Sequence, residues 1–494
     1  MSENQGYDVV VAGASIGGII SAAALLNAGY RVAIVDALQA PGSRWGSVPY
    51  NGYWINWGHR DGHGISDLLI ASQYRKLAEA AAGIEMPVIE GGYGNLYRIH
   101  KLPEDRVIEL TYEQMLGKDS GDSLDRFRFQ VREFGGFTED VDAIATAVKE
   151  GEEKLLSFSD EEAWGLVEVT LGEWLDRNVA DARARAVFVA RLESTNVSPG
   201  EEASLGRYIR HIRTHLHVPG PPQDPDAGGM QSVVAAFMRR IHELGGTVMM
   251  GWKPERLVLG HNDVVEGLVV VNENSFVRVL EAPVVITDFE GWDLDKLVDR
   301  ARLPKEFIKR ADALRDYRGE TISWFAGLKR MPRIRETGKV EDNPAWNRIT
   351  RREGGAFRHY HGGWHFTSLH QANAAPEGKH LLHCTIAYNK RRYADFAEAR
   401  RDIDINVDYL RKFYVDLDEC LDWSEYQYVQ APQVVSWYLR PIRRHPVKVA
   451  TIPGFYCASA TAETPGVWAS AEISSALAAV ELVKLEYPLS IIRN

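Results

Sequence analysis

Residues 8–36 constrain this chain more than any others. Asp8 to Ala12 is a short β-branched run with no charge after Asp8, the pattern of a central parallel strand covered on both faces. The run Gly13-Ala14-Ser15-Ile16-Gly17-Gly18 follows, with Ile16, Ile20 and Ala23 at helical spacing. Gly29 is placed to end that helix as a C-cap, and Arg31 to Val35 reads as a second strand closing with Asp36. Strand, glycine turn, helix and strand fit into about thirty residues, the span of a βαβ unit.

A turn of this kind excludes side chains at three places: at the tight bend, where a pyrophosphate approaches the backbone, and where the helix meets the strand. Gly13 and Gly18 meet the first and third demands. Ser15 stands at the second, where a Cβ is tolerable at negative φ and the hydroxyl can donate to a phosphate. Amides at the helix start then point at the negative charge. Asp36, twenty-three residues after Gly13, is placed to accept hydrogen bonds from ribose hydroxyls and to repel a 2′-phosphate. The residues predict an adenine dinucleotide held by Gly13, Ala14, Ser15, Ile16, Gly17, Gly18, Asp36 and Ala37.

At 494 residues the chain is too long for one ordinary core. Its 57 basic against 68 acidic residues, net charge −11, argue against a nucleic-acid surface. Cys384, Cys420 and Cys457 are too few and too scattered for a disulfide framework or a thiolate metal site. The uncharged run Val9 to Tyr30 lacks a positive flank and is broken by glycines, so it reads as strand and helix rather than as a signal or a membrane span; a cytoplasmic location is the expectation. Thirteen Trp and twenty Tyr suit core packing and equally an aromatic-lined cavity for a large apolar substrate.

The texture alternates along the chain. Residues 1–72 form the first part of the nucleotide domain and 73–220 a first substrate or helical part, with a hairpin near Tyr93 to Tyr112. A turn-rich stretch, 218–229, returns to the nucleotide domain over 221–300: a helix from Met230 to Leu244, then strands at Thr247–Met250, Val264–Val271, Val277–Glu281 and Val284–Thr287. Residues 301–440 make the second substrate part, with helix over Ala394–Leu417, and 441–494 the last nucleotide part.

Beyond Asp36 the sequence resembles one group of proteins. Ala40-Pro41-Gly42-Ser43-Arg44 looks like the Pro-Gly-Gly-Arg loop of the phytoene-desaturase-like and amine-oxidase-like FAD-dependent oxidoreductases. Asn51 to Gly58 resembles their following hairpin, and Gly228 to Val233 with Glu243 to Val248 their return to the nucleotide domain. Ala282 to Asp288, Gly454 to Thr461 and Pro465-Gly466-Val467 are similar to their closing segments. The resemblance runs through the whole chain in order. It implies an α/β fold (α+β overall): a Rossmann-like FAD-binding domain of the glutathione-reductase-like ββα type, with an inserted substrate domain of mixed sheet and helix. It implies FAD as cofactor, with Ser43 and Arg44 at the pyrophosphate, Trp57, Gly58 and His59 beside the flavin, and backbone contacts to adenine near Pro254. Ser459 and Ala460 would lie near the ribityl or phosphate. A helix opened by Gly466 and Val467 would face the flavin pyrimidine, where its dipole stabilises reduced-flavin charge by roughly 0.3–1 kcal/mol. The sequence departs from the family pattern at Ser15 and Ser43, which replace glycines, at Pro254, which has no N–H, and at Ser459-Ala460, where many relatives have Gly-Asp.

The segment Trp57-Gly58-His59-Arg60-Asp61-Gly62-His63 is the most unusual polar cluster. His59, His63 and Asp61 are the candidate catalytic residues, a histidine accepting a proton as hydride leaves for flavin N5. Glycines at 58, 62 and 64 argue against a helical metal site there, and loop hydrogen bonding is the plainer use. A second histidine group is Arg358 to His361 with Trp364-His365. The expected activity is FAD-dependent dehydrogenation or desaturation of an apolar terpenoid, carotenoid-like or alicyclic molecule at a CH–CH or CH–OH position, with the electron acceptor unassigned. A flavin-dependent isomerase or hydratase, and an FAD-binding or degenerate partner subunit of a hetero-oligomeric oxidoreductase, stay open. Homo- or hetero-oligomers and peripheral membrane contact also stay open.

Overall fold

The computed structural model describes residues 6–493 except 57–72, 91–95, 103–104, 112–123, 196–199, 217–222, 226–228, 316–318, 344, 354–355, 372, 389–393, 434–440 and 466–468. Strand β1 (Val9–Ala12), helix α1 (Ile16–Asn27) and strand β2 (Val32–Asp36) form the expected unit. Gly29, at φ 91°, closes α1 through Gly29 N–H to Leu26 O and Tyr30 N–H to Leu25 O, the left-handed exit that glycine permits. Strands β3 (Thr247–Met250), β4 (Val285–Thr287) and β5 (Phe455–Cys457) complete a parallel sheet in the order β5-β4-β1-β2-β3.

Both faces of this sheet are covered, which is why its strands read as unbroken apolar runs. Val9, Val11, Ile34 and Ile286 pack with α1, helix α2 (Met230–Glu243) and helix α3 (Ala469–Glu486). Val10, Ala12, Val35 and Val285 face the other way, towards Leu268, Leu280, Trp292 and Phe307. On that side lies a three-stranded antiparallel meander of Trp252–Leu259, Val265–Asn272 and Val277–Glu281.

The rest of the chain builds a helical cluster and a second sheet. Helices between Asp125 and Leu216 bury Val131, Ile144, Val148, Phe188 and Ile209. The second sheet has seven strands, in the order Leu421–Gln433, Gly319–Leu328, His380–Tyr388, Ala356–Phe366, Trp346–Glu353, Leu96–Leu102 and Arg106–Thr111. The expected hairpin near Tyr93 to Tyr112 is its edge, and one parallel pairing, Leu96–Leu102 with Trp346–Glu353, stitches the two inserted segments into one sheet. Ile322, Trp324, Trp364, Leu382 and Ile386 pack on helix Phe396–Phe413 through Ile403, Val407 and Leu410. Trp45, Trp324 and Trp364 are fully buried in packed cores, so these aromatics fill the interior rather than line a cavity. Among the described residues, no helix is long and apolar enough to cross a membrane.

His100 shows how the second sheet treats polar groups. Its Nδ1 meets Tyr409 Oη at 3.0 Å and its Nε2 meets Asn347 Oδ1 at 3.0 Å. An amide oxygen only accepts, so Nε2 carries a proton. Burial, with Arg98 nearby, drives its pKa down to about 3 against the bond to Asn347. The unfolded chain therefore binds a proton at His100 that the folded chain refuses between about pH 6.5 and pH 3, and this share of stability is lost as pH falls through that window. Urea unfolding of His100→Gln should show a pH dependence shallower than wild type by about 1.4 kcal/mol per pH unit within it.

Candidate functional site

The carboxyl ends of β1, β2, β4 and β5 meet the start of α1, where open α/β sheets hold their ligands. Gly13 leaves β1 at φ 113°. A Cβ there would lie 1.6 Å from Asp288 Oδ1. A Cβ on Gly18 would lie 2.1 Å from Gly13 O, and one on Gly17 2.4 Å from Ala458 O. The missing side chains let the first turn of α1 dock directly on the backbone of β1 and on the chain leaving β5. Ser15 is the N-cap at φ −77°, a conformation that accommodates its Cβ, and its hydroxyl does not cap the helix.

Two carboxylates hold the amides of this turn. Ala14 N–H donates to Asp36 Oδ2 at 2.7 Å, and Ser15 N–H donates to Asp288 Oδ2 at 2.7 Å. Asp36 Oδ1 also receives Leu38 N–H at 2.8 Å. The next loop is drawn over the turn by Gly42 N–H to Ala14 O at 2.8 Å. There Gly42 has φ 105° and Ser43 φ 48°, so Ser43 stands in the left-handed region that glycine favours. Trp45 is buried and its indole donates to Glu472 Oε2 of α3 at 2.9 Å. Burial raises the pKa of Asp36 against its two amide bonds. Asp288 is pushed up to about 7 by burial and then by Asp36, with Glu472 adding to the rise and bonds from Ser15 opposing it.

The other expected cofactor positions divide. Ala37 lines a cleft of about 320 Å³ with Gln39, Gly251, Lys253, Glu255 and Asn272, next to the end of β2. Pro254 is buried, opposite Val270, and precedes a register shift at Arg256. Ser459 and Ala460 follow β5 but turn inward. Ser459 Oγ lies 2.7 Å from Thr461 Oγ1 and 3.4 Å from Cys457 Sγ, Thr461 Oγ1 meets His445 Nε2 at 2.8 Å, and Ala460 is in the core. The Ser459 hydroxyl is therefore committed inside the protein. Trp57, Gly58, His59, Asp61, His63, Gly466 and Val467 lie outside the described residues, as does the side chain of Arg44. Among the described residues, no group of three or more His, Cys, Asp or Glu is placed to hold a metal ion.

Sequence reasoning placed Asp288 at the end of a family-like strand but gave it no role, because it stands 252 residues from Asp36 and only the sheet brings the two together. It also missed a buried histidine seam in the second sheet. His365 pairs across the strands with His383, their rings 5.5 Å apart, and His370 lies 5.8 Å from His365. His383 Nε2 meets Ser323 Oγ at 3.0 Å and His365 Nε2 meets Thr367 Oγ1 at 3.1 Å. Burial, with His365 beside it, holds His370 well below the ordinary imidazole range, hence neutral. Next to His370, Gln371 Oε1 approaches Gly229, which also abuts Asn56 Oδ1 and Ser47 Oγ. The seam thus reaches the hairpin that runs into residues 57–63. Of the second group named from sequence, only His365 joins it; the side chains of residues 358–361 lie outside the described set, and Gly362 at φ 94° interrupts the alternation between them and His365.

No family model matches the chain, and no curated protein matches it. Solved structures do. An oxidoreductase from Methanosarcina mazei is 15% identical, covering 96% of this chain and 99% of its own, with a TM-score of 0.66. Cyclohexylamine oxidase from Brevibacterium oxydans is 14% identical over 97% and 99%, with a TM-score of 0.60. A reduced UDP-galactopyranose mutase is 12% identical over 99% and 98%, with a TM-score of 0.58. The chain has the fold of these proteins from end to end, as the α/β reading with an inserted substrate domain expects.

Gly18→Ala should destabilise the protein by about 1–3 kcal/mol in urea unfolding, since its Cβ meets backbone rather than a movable side chain. Ser43→Gly should be neutral to stabilising by up to about 1 kcal/mol, the relief of a left-handed serine set against glycine's greater chain entropy.

Proposed function

We propose that this chain is an FAD-dependent oxidoreductase that takes hydrogen from a CH–CH or CH–OH position of an apolar small molecule, terpenoid, carotenoid-like or alicyclic. The observation that carries the cofactor is the α1 turn: Gly17 and Gly18 pressed against backbone, Gly13 against the Asp288 carboxylate, a helix start that Ser15 does not cap and an acid at the end of β2. Its occurrence in a fold shared over 99% of the length of an oxidoreductase and of cyclohexylamine oxidase supports the same reading. These residues fit a dinucleotide. Gly13 to Gly18, with Ser43 and Arg44, would hold the pyrophosphate, and Asp36 and Ala37 the adenosine ribose. The cleft beside Ala37 and Lys253 suits the adenine end. Pro254, Ser459, Ala460, Gly466 and Val467 complete the proposed lining, Pro254, Ser459 and Ala460 through backbone atoms.

Bound FAD supplies a hydride acceptor. The protein must then receive the proton that leaves with the hydride. His59 and His63, oriented by Asp61, are the proposed acceptors. The buried seam of His365, His370 and His383 reaches towards the same hairpin and would add polar groups near that proton. The apolar character of the substrate rests on the sequence's likeness to desaturases, since Trp45, Trp324 and Trp364 are in packed cores.

A second reading keeps FAD but ends without net oxidation, an isomerisation or hydration using reduced flavin. The likeness to a reduced UDP-galactopyranose mutase favours it.

The test is anaerobic mixing of the FAD-loaded protein with candidate terpenoid and alicyclic substrates. Loss of the oxidised-flavin absorbance, with a product two hydrogens lighter by mass spectrometry, is the expected result. A product of unchanged mass formed only after the flavin is reduced chemically would replace the first reading by the second. A folded protein that FAD fails to colour at any pH would overturn both.

A further inference from the structure

We propose that the Asp288 carboxylate occupies the anion seat of the α1 turn and is a built-in competitor of the dinucleotide's phosphates, so that FAD enters together with a proton. The proposal rests on the flavin reading above. The seat is defined by contact. Asp288 Oδ2 takes the Ser15 amide, the helix-start donor that the glycine pattern reserves for a phosphate. The carboxylate fills the concavity that Gly13 and Gly18 leave empty: a Cβ on Gly13 would lie 1.6, 2.3 and 2.7 Å from Asp288 Oδ1, Cγ and Oδ2, and one on Gly18 2.9 Å from Oδ2. Beside it, Asp36 takes the Ala14 amide in the same way.

The groups packed around Asp288 explain why it is the one to yield. Asp36 faces it from the end of β2 and Glu472 from α3, and both raise its pKa. From β5, the Cys457 thiol is itself pushed up, by burial first and also by Glu290 and Asp288, despite bonds from Ser459, and so stays neutral. Neutral donors from Ser15 hold the carboxylate, and Trp45 holds Glu472. With burial as the largest cause, Asp288 titrates at about 7 in the free protein, so a proton removes its charge within the physiological range. A diphosphate in the same seat raises that value further by like-charge repulsion. Affinity for FAD is then level below about pH 7 and falls by up to about tenfold for each pH unit above it. Replacing the acid by its amide abolishes the dependence.

The experiment is titration of the full chain with FAD, followed by flavin fluorescence, from about pH 5.5 to about pH 8.5, for wild type and Asp288→Asn. Calorimetry in buffers of different ionisation enthalpy reads proton uptake. Wild type should bind with uptake of up to one proton near pH 7.5 and weaken above it, while Asp288→Asn binds at least about tenfold tighter at pH 8.5 with a flat profile. Wild-type affinity that does not change with pH, or an Asp288→Asn profile parallel to wild type, overturns the proposal while leaving FAD as the cofactor. If Asp288→Asn does not fold, the wild-type slope and proton uptake decide alone. Folded wild type and variant that both ignore FAD at every pH overturn the flavin reading itself.

Discussion

The close approach of α1 to the end of β1 is the contact on which the rest depends. Gly18 lies so near the Gly13 carbonyl that no side chain fits between them, and α1 therefore begins at the carboxyl edge of the sheet. A helix start carries about half a positive charge. Placed there, it sets the electrostatic character of the place where β2, β4 and β5 also end. The acids collected around it, Asp36, Asp288 and Glu472, come from three distant parts of the sequence, and the parallel order of the sheet brings them together.

That convergence makes the site attractive to an anion and already occupied by anionic groups of the protein. Ala14 and Ser15 donate to Asp36 and Asp288, so an entering diphosphate exchanges one set of charge-assisted hydrogen bonds for another. Its net gain depends on how easily the internal carboxylates give up their places. Burial and the neighbouring Asp36 raise the pKa of Asp288, which under the proposal above ties the electrostatics of the turn to anion binding.

The second sheet solves a different problem with the same strands. Residues such as Ile322, Trp324, Trp364 and Leu382 meet helix Phe396–Phe413, while their strand neighbours Ser323, His365, His383 and Thr385 form a buried row joined by hydroxyl–imidazole contacts, with Thr385 Oγ1 3.1 Å from Ser323 Oγ. Period-two alternation gives each strand one apolar and one polar face. The polar row runs on through His370 and Gln371 towards Asn56 and Gly229.

Local pattern was enough to establish the βαβ unit, Gly29 as the exit from α1, the helix from Met230 and the strands after it, because each rests on residues within a few positions of one another. The same holds for the steric part played by Gly13 and Gly18 and for an acid at the end of β2, whereas the close approach of Gly17 to Ala458 is long-range. What only the tertiary structure decided is long-range. The seven-stranded sheet joins Leu96–Leu102 to Trp346–Glu353 across some 250 residues, a pairing that no window of sequence contains. The inward turn of Ser459, the burial of Trp324 and Trp364, the histidine seam and the placing of Asp288 against the Ser15 amide all follow from which strands lie side by side. Periodicity tells a strand which faces to bury, but strand order, set by the packing of the whole chain, tells it which neighbours it will meet.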